Sequence, residues 1–188
     1  ETPLTEGFTP GTASDPPVRD PGVETVHVTV DGTRVAVRAG ATLIDAVDAV
    51  GSDVPALCYY DRDTEASEEI GPRSECRTCM VEADGDLVPA CSHPVRDGGT
   101  VRTDADRARE ARDVNLDLVL SNHNLRCTTC DKNGRCELQD AAIDNDVEEP
   151  RYGVLDDRGE YEPIDGSSSL IQIDRNKCIL CSRCVDAC

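Results

Sequence analysis

The sequence predicts an α+β fold held together by metal as much as by an apolar core. Three observations carry that expectation. Two short hairpin patterns each turn on Asp-Gly, helical apolar spacing follows each of them, and eleven cysteines gather into three close groups. Aromatic residues make up 3% of the 188 residues, with no Trp and with Phe8 as the sole Phe, so the bulky side chains that dominate most cores are scarce. Metal ligation can supply the missing folding energy, because site assembly and folding are one equilibrium in small metallo-domains.

The elements follow in order. Residues 1–24 carry Pro10, Pro16, Pro17 and Pro21 and read as a disordered tail. From Thr25, Val26, Val28 and Val30 alternate with polar neighbours, Asp31-Gly32 turns the chain, and Val35 and Val37 alternate again, which predicts a β-hairpin. Thr42 and Asp45 form a capping-box pattern opening a helix with Leu43, Val47 and Val50 on one face and Gly51 at its end. Thr78–Ala83 and Leu87–Cys91 flank Asp84-Gly85 and predict a second hairpin. Thr103 and Asp104 then start a longer helix whose apolar face draws on Ala108, Ala111 and Val114–Leu120. A short helix is expected near Glu137–Ile143, a linker over 144–169 with Pro150, Pro163 and a serine triplet, and a short strand at Leu170–Ile173.

The charge balance excludes whole classes of partner. With 38 acidic against 19 basic residues the net charge is −19. That argues against nucleic acid, which needs a basic footprint, and against an anionic membrane surface. No apolar run approaches the ~20 residues of a membrane helix, and the start has neither the basic nor the apolar region of a signal peptide. Clustered cysteines then favour a reducing, cytoplasmic setting. Asp outnumbers Glu, and Lys132 and Lys177 are the only lysines, a balance expected of a protein adapted to salt, whose ions screen self-repulsion. The melting temperature should accordingly rise between about 0.01 and 2 M KCl, a range over which the screening length falls from ~30 Å to below ~3 Å. An unchanged melting temperature would remove the salt-adapted reading.

Three ligand sets can be read from spacing. The last is Cys178-x-x-Cys181-x-x-Cys184-x-x-x-Cys188. Its first three thiolates suit three corners of one [4Fe–4S] cubane, and the fourth points to a further cluster, whereas zinc normally takes paired C-x-x-C knuckles. The middle set is His123, Cys127, Cys130 and Cys136. Taken alone it also suits zinc, but its place between two other cluster motifs favours [4Fe–4S]. The first set is Cys58, Cys76, Cys79 and Cys91, the close pair with distant partners that a [2Fe–2S] cluster needs. Arg77, between the close pair, can offset cluster charge, and Cys58 alone would otherwise read as a buried apolar cysteine.

These sets, in this order from Thr25 to Cys188, resemble the N-terminal iron–sulfur region shared by the large peripheral subunit of respiratory complex I, iron hydrogenases and NAD-linked formate dehydrogenases. The stretch from His123-Asn-Leu-Arg-Cys127 through Cys136-Glu-Leu-Gln-Asp140, and Asp174-Arg-Asn-Lys-Cys178 onward, look most like the formate dehydrogenase alpha subunit. Complex I relatives usually carry Pro where this chain has Asn124. The resemblance implies a β-grasp [2Fe–2S] ferredoxin-like domain over 25–102, a small helical [4Fe–4S] domain over 103–143 and the start of a 4Fe–4S ferredoxin domain over 170–188. The work it implies is electron carriage between a molybdopterin-bearing catalytic domain and an acceptor such as an NAD-reducing partner subunit or diaphorase. The same module of a complex I or hydrogenase subunit is the alternative, and a zinc-stabilised interaction module the third reading.

Two departures from the family pattern stand out. The loop after Cys58 is longer than usual and holds the acidic stretch Asp61–Ile70. The family also continues past the position of Cys188 into a second cysteine quartet and the molybdopterin domain. No catalytic residue is therefore expected here. The 188 residues are expected to hold about six irons stably rather than about ten, with Cys188 a ligand of a cluster not completed here.

Overall fold

The computed structural model describes residues 24–59, 72–121, 123, 125–147, 151 and 164–186. The tail, the acidic loop after Tyr59, most of the expected linker and Cys188 lie outside them.

The first hairpin pairs β1 (Thr25–Val30) with β2 (Thr33–Arg38), and the second pairs β3 (Met80–Ala83) with β4 (Asp86–Pro89). Each turns on Asp-Gly with both residues at positive φ: Asp31 at 47° and Gly32 at 83°, Asp84 at 51° and Gly85 at 90°. That is the twist a two-residue hairpin turn requires, which Asn, Asp and Gly adopt at least cost. The short strand β5 (Thr100–Arg102) lies between the hairpins, parallel to β1 and antiparallel to β3, giving the sheet order β2-β1-β5-β3-β4. Helix α1 (Leu43–Ala49) packs against β1 and β2, with the Thr42 N–H held by the Asp45 carboxylate at 2.7 Å and Gly51 left-handed at φ 72° just beyond it. The arrangement is a β-grasp.

Its core joins Val28, Val30, Leu43, Ile44, Val47, Val81 and Val101 to Cys79 and Cys91. Fully burying each such aliphatic side chain contributes about 1.5–3 kcal/mol, so small residues and two cysteines replace the missing aromatics.

Helix α2 (Asp106–Ser121) lies across β3 and leads to a 3-10 turn at Cys127–Thr129 and helix α3 (Glu137–Asp144). A second apolar cluster of Leu57, Leu116, Leu120, Leu138 and Ala141 joins these helices to the β-grasp. Part-buried Cys76, Cys136 and Ile179 pack around it, so it touches all three cysteine regions. Helix α2 buries Ala108, Leu116 and Leu120, as its spacing predicts, but also Arg112 and Asp117. Ala111 and Val114 are only half-buried and Leu118 is exposed, because the buried face runs between the sheet and α3.

Arg112 explains its burial. Its Nη1 donates to the Met80 carbonyl at 2.8 Å and the Thr103 carbonyl at 2.9 Å, fastening α2 to the strand that begins after Cys79. Arg112→Met should therefore cost about 3 kcal/mol, since a buried and a part-buried carbonyl lose a charged donor. The check is the denaturant midpoint at unchanged slope.

The C-terminal part holds β6 (Ile164–Asp165) paired with β7 (Ile173–Asp174), then helix α4 (Arg183–Asp186). The strand expected at Leu170–Ile173 thus sits at Ile173–Asp174. Leu170, almost fully exposed, lies in the turn before it, where the Ser168 hydroxyl accepts the Leu170 and Ile171 N–H groups.

Candidate metal centres

The first set is assembled by the second hairpin and the loops around it. Cys79 directly precedes β3 and Cys91 comes two residues after the end of β4, and the Ala90 N–H to Cys79 carbonyl bond at 2.9 Å closes that end of the ladder. Cys58 follows Leu57, whose N–H reaches the Thr78 hydroxyl at 3.4 Å. Ser74 and Arg77 adopt left-handed φ of 54° and 55°, bending the chain tightly around Cys76. Such strain in residues other than glycine persists only where surroundings enforce it, and it clusters at functional sites. The Arg77 carbonyl is tied by Asn115 at 3.0 Å.

The thiols of this set meet in two pairs, Cys58 with Cys76 and Cys79 with Cys91. The Cys76 N–H points at the Cys58 sulfur at 3.5 Å, the Thr78 hydroxyl lies 3.2 Å from the Cys76 sulfur, and the Ser74 hydroxyl lies 3.4 Å from that of Cys91. Cys58, Cys79 and Cys91 are buried and Cys76 half-buried. A hydrogen bond from Cys58 lowers Cys76 to about 5, against the opposing effect of burial and with help from Thr78. A hydrogen bond from Cys79 lowers Cys91 to about 6, helped by Ser74 and Ser92. Their partners Cys58 and Cys79 are pushed up, by that same donated bond first and by burial second.

The middle set sits where α2 ends and α3 begins. The His123 N–H bonds the Leu120 carbonyl at 3.0 Å, extending the last turn of α2. Cys127 opens the 3-10 turn, Cys130 follows it with its N–H on the Cys127 carbonyl at 3.1 Å, and Cys136 is the residue before α3. His123, Cys127 and Cys136 line one pocket of about 560 Å³ whose other walls include Leu120, Leu125 and Leu138. Cys130 is not among its lining residues. An apolar wall with imidazole and thiol donors suits a cluster shielded from water.

In the last set, Leu180 and Ser182 flank Cys181 with left-handed φ of 58° and 61°, and Cys184 lies exposed on α4. Cys178 and Cys181 share a pocket of about 270 Å³ with Cys58 and Cys76, so the fold brings the first and last sets side by side. Cys188 lies outside the described residues.

The donor chemistry fits iron–sulfur clusters, and comparison with known proteins agrees. Residues 23–106 match the family model of a 2Fe-2S iron–sulfur cluster binding domain, and residues 112–151 match that of the NADH-ubiquinone oxidoreductase-G iron–sulfur binding region. The chain is an iron–sulfur electron-transfer module carrying [2Fe–2S] and [4Fe–4S] binding domains.

Relatives of this region include several kinds of oxidoreductase. The Bacillus subtilis protein named "Putative formate dehydrogenase YrhE" is 34% identical over 88% of this chain and 16% of its own length. The mitochondrial 78 kDa subunit of NADH-ubiquinone oxidoreductase from Candida albicans is 34% identical over 85% of this chain and 21% of its own. A subunit of the NADP-reducing hydrogenase of Solidesulfovibrio fructosivorans is 38% identical over 86% and 27%. Among solved structures, the NAD+-reducing [NiFe]-hydrogenase in its H2-reduced state superimposes with a TM-score of 0.73 at 28% identity, over 86% of this chain and 65% of that one. The chain thus spans between about a sixth and a quarter of these curated relatives. Among the described residues no helix is long and apolar enough to cross a membrane.

Sequence reasoning missed the charged residues that tie these regions together. Arg73 forks onto Asp186, Arg183 meets Glu137, and Arg151 meets the buried Asp117. No local signal marks them, since the partners lie 113, 46 and 34 residues apart.

Proposed function

We propose that Cys58, Cys76, Cys79 and Cys91 hold the [2Fe–2S] cluster, within a domain spanning 25–102. His123, Cys127, Cys130 and Cys136 hold a [4Fe–4S] cluster within 103–143. Cys178, Cys181 and Cys184 offer three thiolates to a further [4Fe–4S] cluster at the start of a third domain, and Cys188 serves another. Such clusters accept and release single electrons. The protein's own groups set how readily they do so, by hydrogen bonds to sulfur, by burial and by fixed charge. Here the Thr78 and Ser74 hydroxyls and the Cys76 N–H lie against the first set's sulfurs, and leucines wall the second.

The observation that carries the reading is the pairing of Cys58 with Cys76 and of Cys79 with Cys91, the first pair sharing a pocket with the two leading thiols of the last set. Electrons entering at one set then have a short way to the other. The parent protein in this reading is a cytoplasmic formate dehydrogenase-like molybdenum oxidoreductase whose molybdopterin site lies outside these residues, with an NAD-reducing subunit or diaphorase as partner. The hydrogenase and complex I likenesses favour the same module in either of those enzymes as the second reading.

Anaerobic purification tests the ligand assignment. A brown protein whose visible absorption bleaches with dithionite, and whose reduced form gives distinct [2Fe–2S] and [4Fe–4S] electron paramagnetic resonance signals, is expected. A colourless protein loaded with zinc would end the redox reading. Reduction of the clusters in the full parent enzyme by formate separates the first parent from the second, whose clusters formate would leave oxidised.

A further inference from the structure

Two ion pairs outside the cysteines converge on α4, and an apolar contact lies just before it. Arg73, three residues before Cys76, donates from Nε to Asp186 Oδ1 at 2.9 Å and Oδ2 at 2.7 Å, with Nη2 reaching Oδ1 as well. The Asp186 side chain keeps 5% of its exposure and that of Arg73 31%, so the fork is largely covered. On the same short helix Arg183, between Cys181 and Cys184, meets the carboxylate of Glu137, the residue after Cys136. Ile179, between Cys178 and Cys181, packs on the apolar cluster that also carries Cys76 and Cys136. A four-residue helix with Val185 66% exposed has little apolar burial of its own to hold it there.

We propose that Arg73 and Asp186 are positioning residues that lock α4, and Cys184 with it, against the Cys76 loop, fixing the spacing between the first and third cysteine sets. The Arg183–Glu137 contact braces the same helix from the side of the middle set. The fork has an electrostatic consequence as well. As a pair it is neutral, and it stands next to Ser74, whose hydroxyl touches the Cys91 sulfur. Removing one partner exposes the first cluster to the charge of the other. Without Asp186 the guanidinium keeps only the more exposed Glu75 carboxylate, 3.6 Å from its Nη1, and favours the more negative, reduced cluster, whereas an unpaired carboxylate at 186 disfavours it. This electrostatic arm rests on the assignment of the first set to [2Fe–2S]; the mechanical arm does not.

The test uses the full chain, reconstituted anaerobically, with Asp186→Asn, Arg73→Gln and the double variant. The [2Fe–2S] potential is read by redox titration, and the hold on α4 by hydrogen exchange at the Val185 and Asp186 amides, which bond the Ser182 carbonyl at 2.9 and 3.1 Å. Asp186→Asn should raise the potential and Arg73→Gln lower it, while exchange at both amides speeds about tenfold in each. The double variant should return the potential towards that of the parent chain but leave exchange fast. A general loss of stability would move both single variants the same way. Shifts of like sign, no shift, or unaltered exchange would overturn the proposal. Absence of a [2Fe–2S] signal from the unsubstituted chain would instead sink the ligand assignment, and exchange alone would then decide the lock.

Discussion

Cys79→Ser is expected to remove two irons per chain and to unfold the β-grasp with them. Cys79 is a core residue as well as a proposed ligand, packed with Val28, Val30, Val81 and Val101 and retaining 1% of its exposure. A metal site that exists only in the folded state contributes its binding free energy to folding, on the order of 10 kcal/mol for structural metal in small domains. The core here is too poor in aromatics to offset that loss. The stability change should therefore exceed about 5 kcal/mol, beyond the ~1 kcal/mol cost usual for a volume-conserving core substitution. Cys130→Ser is the contrast. Cys130 follows a 3-10 turn, is half-buried and belongs to neither apolar cluster. It should cost the [4Fe–4S] signal while the β-grasp melts nearly as before. Iron and acid-labile sulfide per chain, with calorimetric melting of the same samples, decide between these outcomes. Equal melting of the two variants would mean that the first cluster is not part of the β-grasp folding unit.

The parts legible in the sequence are those fixed by short-range chemistry. Both hairpins were readable because Asp-Gly at a two-residue turn satisfies a backbone conformation that few other pairs reach. Helix α1 was readable from Thr42, Asp45 and Gly51, and α3 from its spacing, because caps and periodicity act within a turn or two. Strand β5 was not legible. Thr100–Arg102 has no pattern of its own and is a strand only because β1 and β3 leave a gap that fits it. Yet that insertion turns two hairpins and a helix into a β-grasp.

The buried polar residues of α2 escaped for the complementary reason. Arg112 and Asp117 occupy positions that any hydropathy pattern assigns to solvent. They are held inside by partners elsewhere in the chain, the Met80 and Thr103 carbonyls for one and Arg151 for the other. The cysteines themselves were visible as three groups by spacing, but not that Cys58 and Cys76 would share a pocket with Cys178 and Cys181. Apolar packing of Leu57 with α2 and α3, and the charged contacts on α4, produce that proximity, and neither leaves a local trace.

His123→Cys is expected to retain the middle cluster while lowering its reduction potential by about 100 mV or more. Neutral imidazole leaves a cluster one unit less negative than thiolate does, and replacing two thiolates by two imidazoles in other clusters raises potentials by several hundred millivolts. The surroundings of His123 favour a large effect. Its pocket is walled by Leu120, Leu125 and Leu138, and charge differences are weakly screened among apolar side chains. Its backbone N–H is fixed on the Leu120 carbonyl at 3.0 Å, so the substituted thiolate starts from the same anchored Cα at the end of α2. Cysteine is shorter than histidine, and the cluster or the loop carrying Cys127 must close that difference. The loop has the latitude to do so, since Leu125 and Arg126, on the way to Cys127, lie outside any helix or strand and are exposed. His123→Ala supplies the control, with no side-chain ligand, and should lose the four-iron signal or give a three-iron form. A redox titration in which His123→Cys keeps its cluster without a downward shift would show that His123 is not a ligand, or that the field of the pocket outweighs the charge of its first shell.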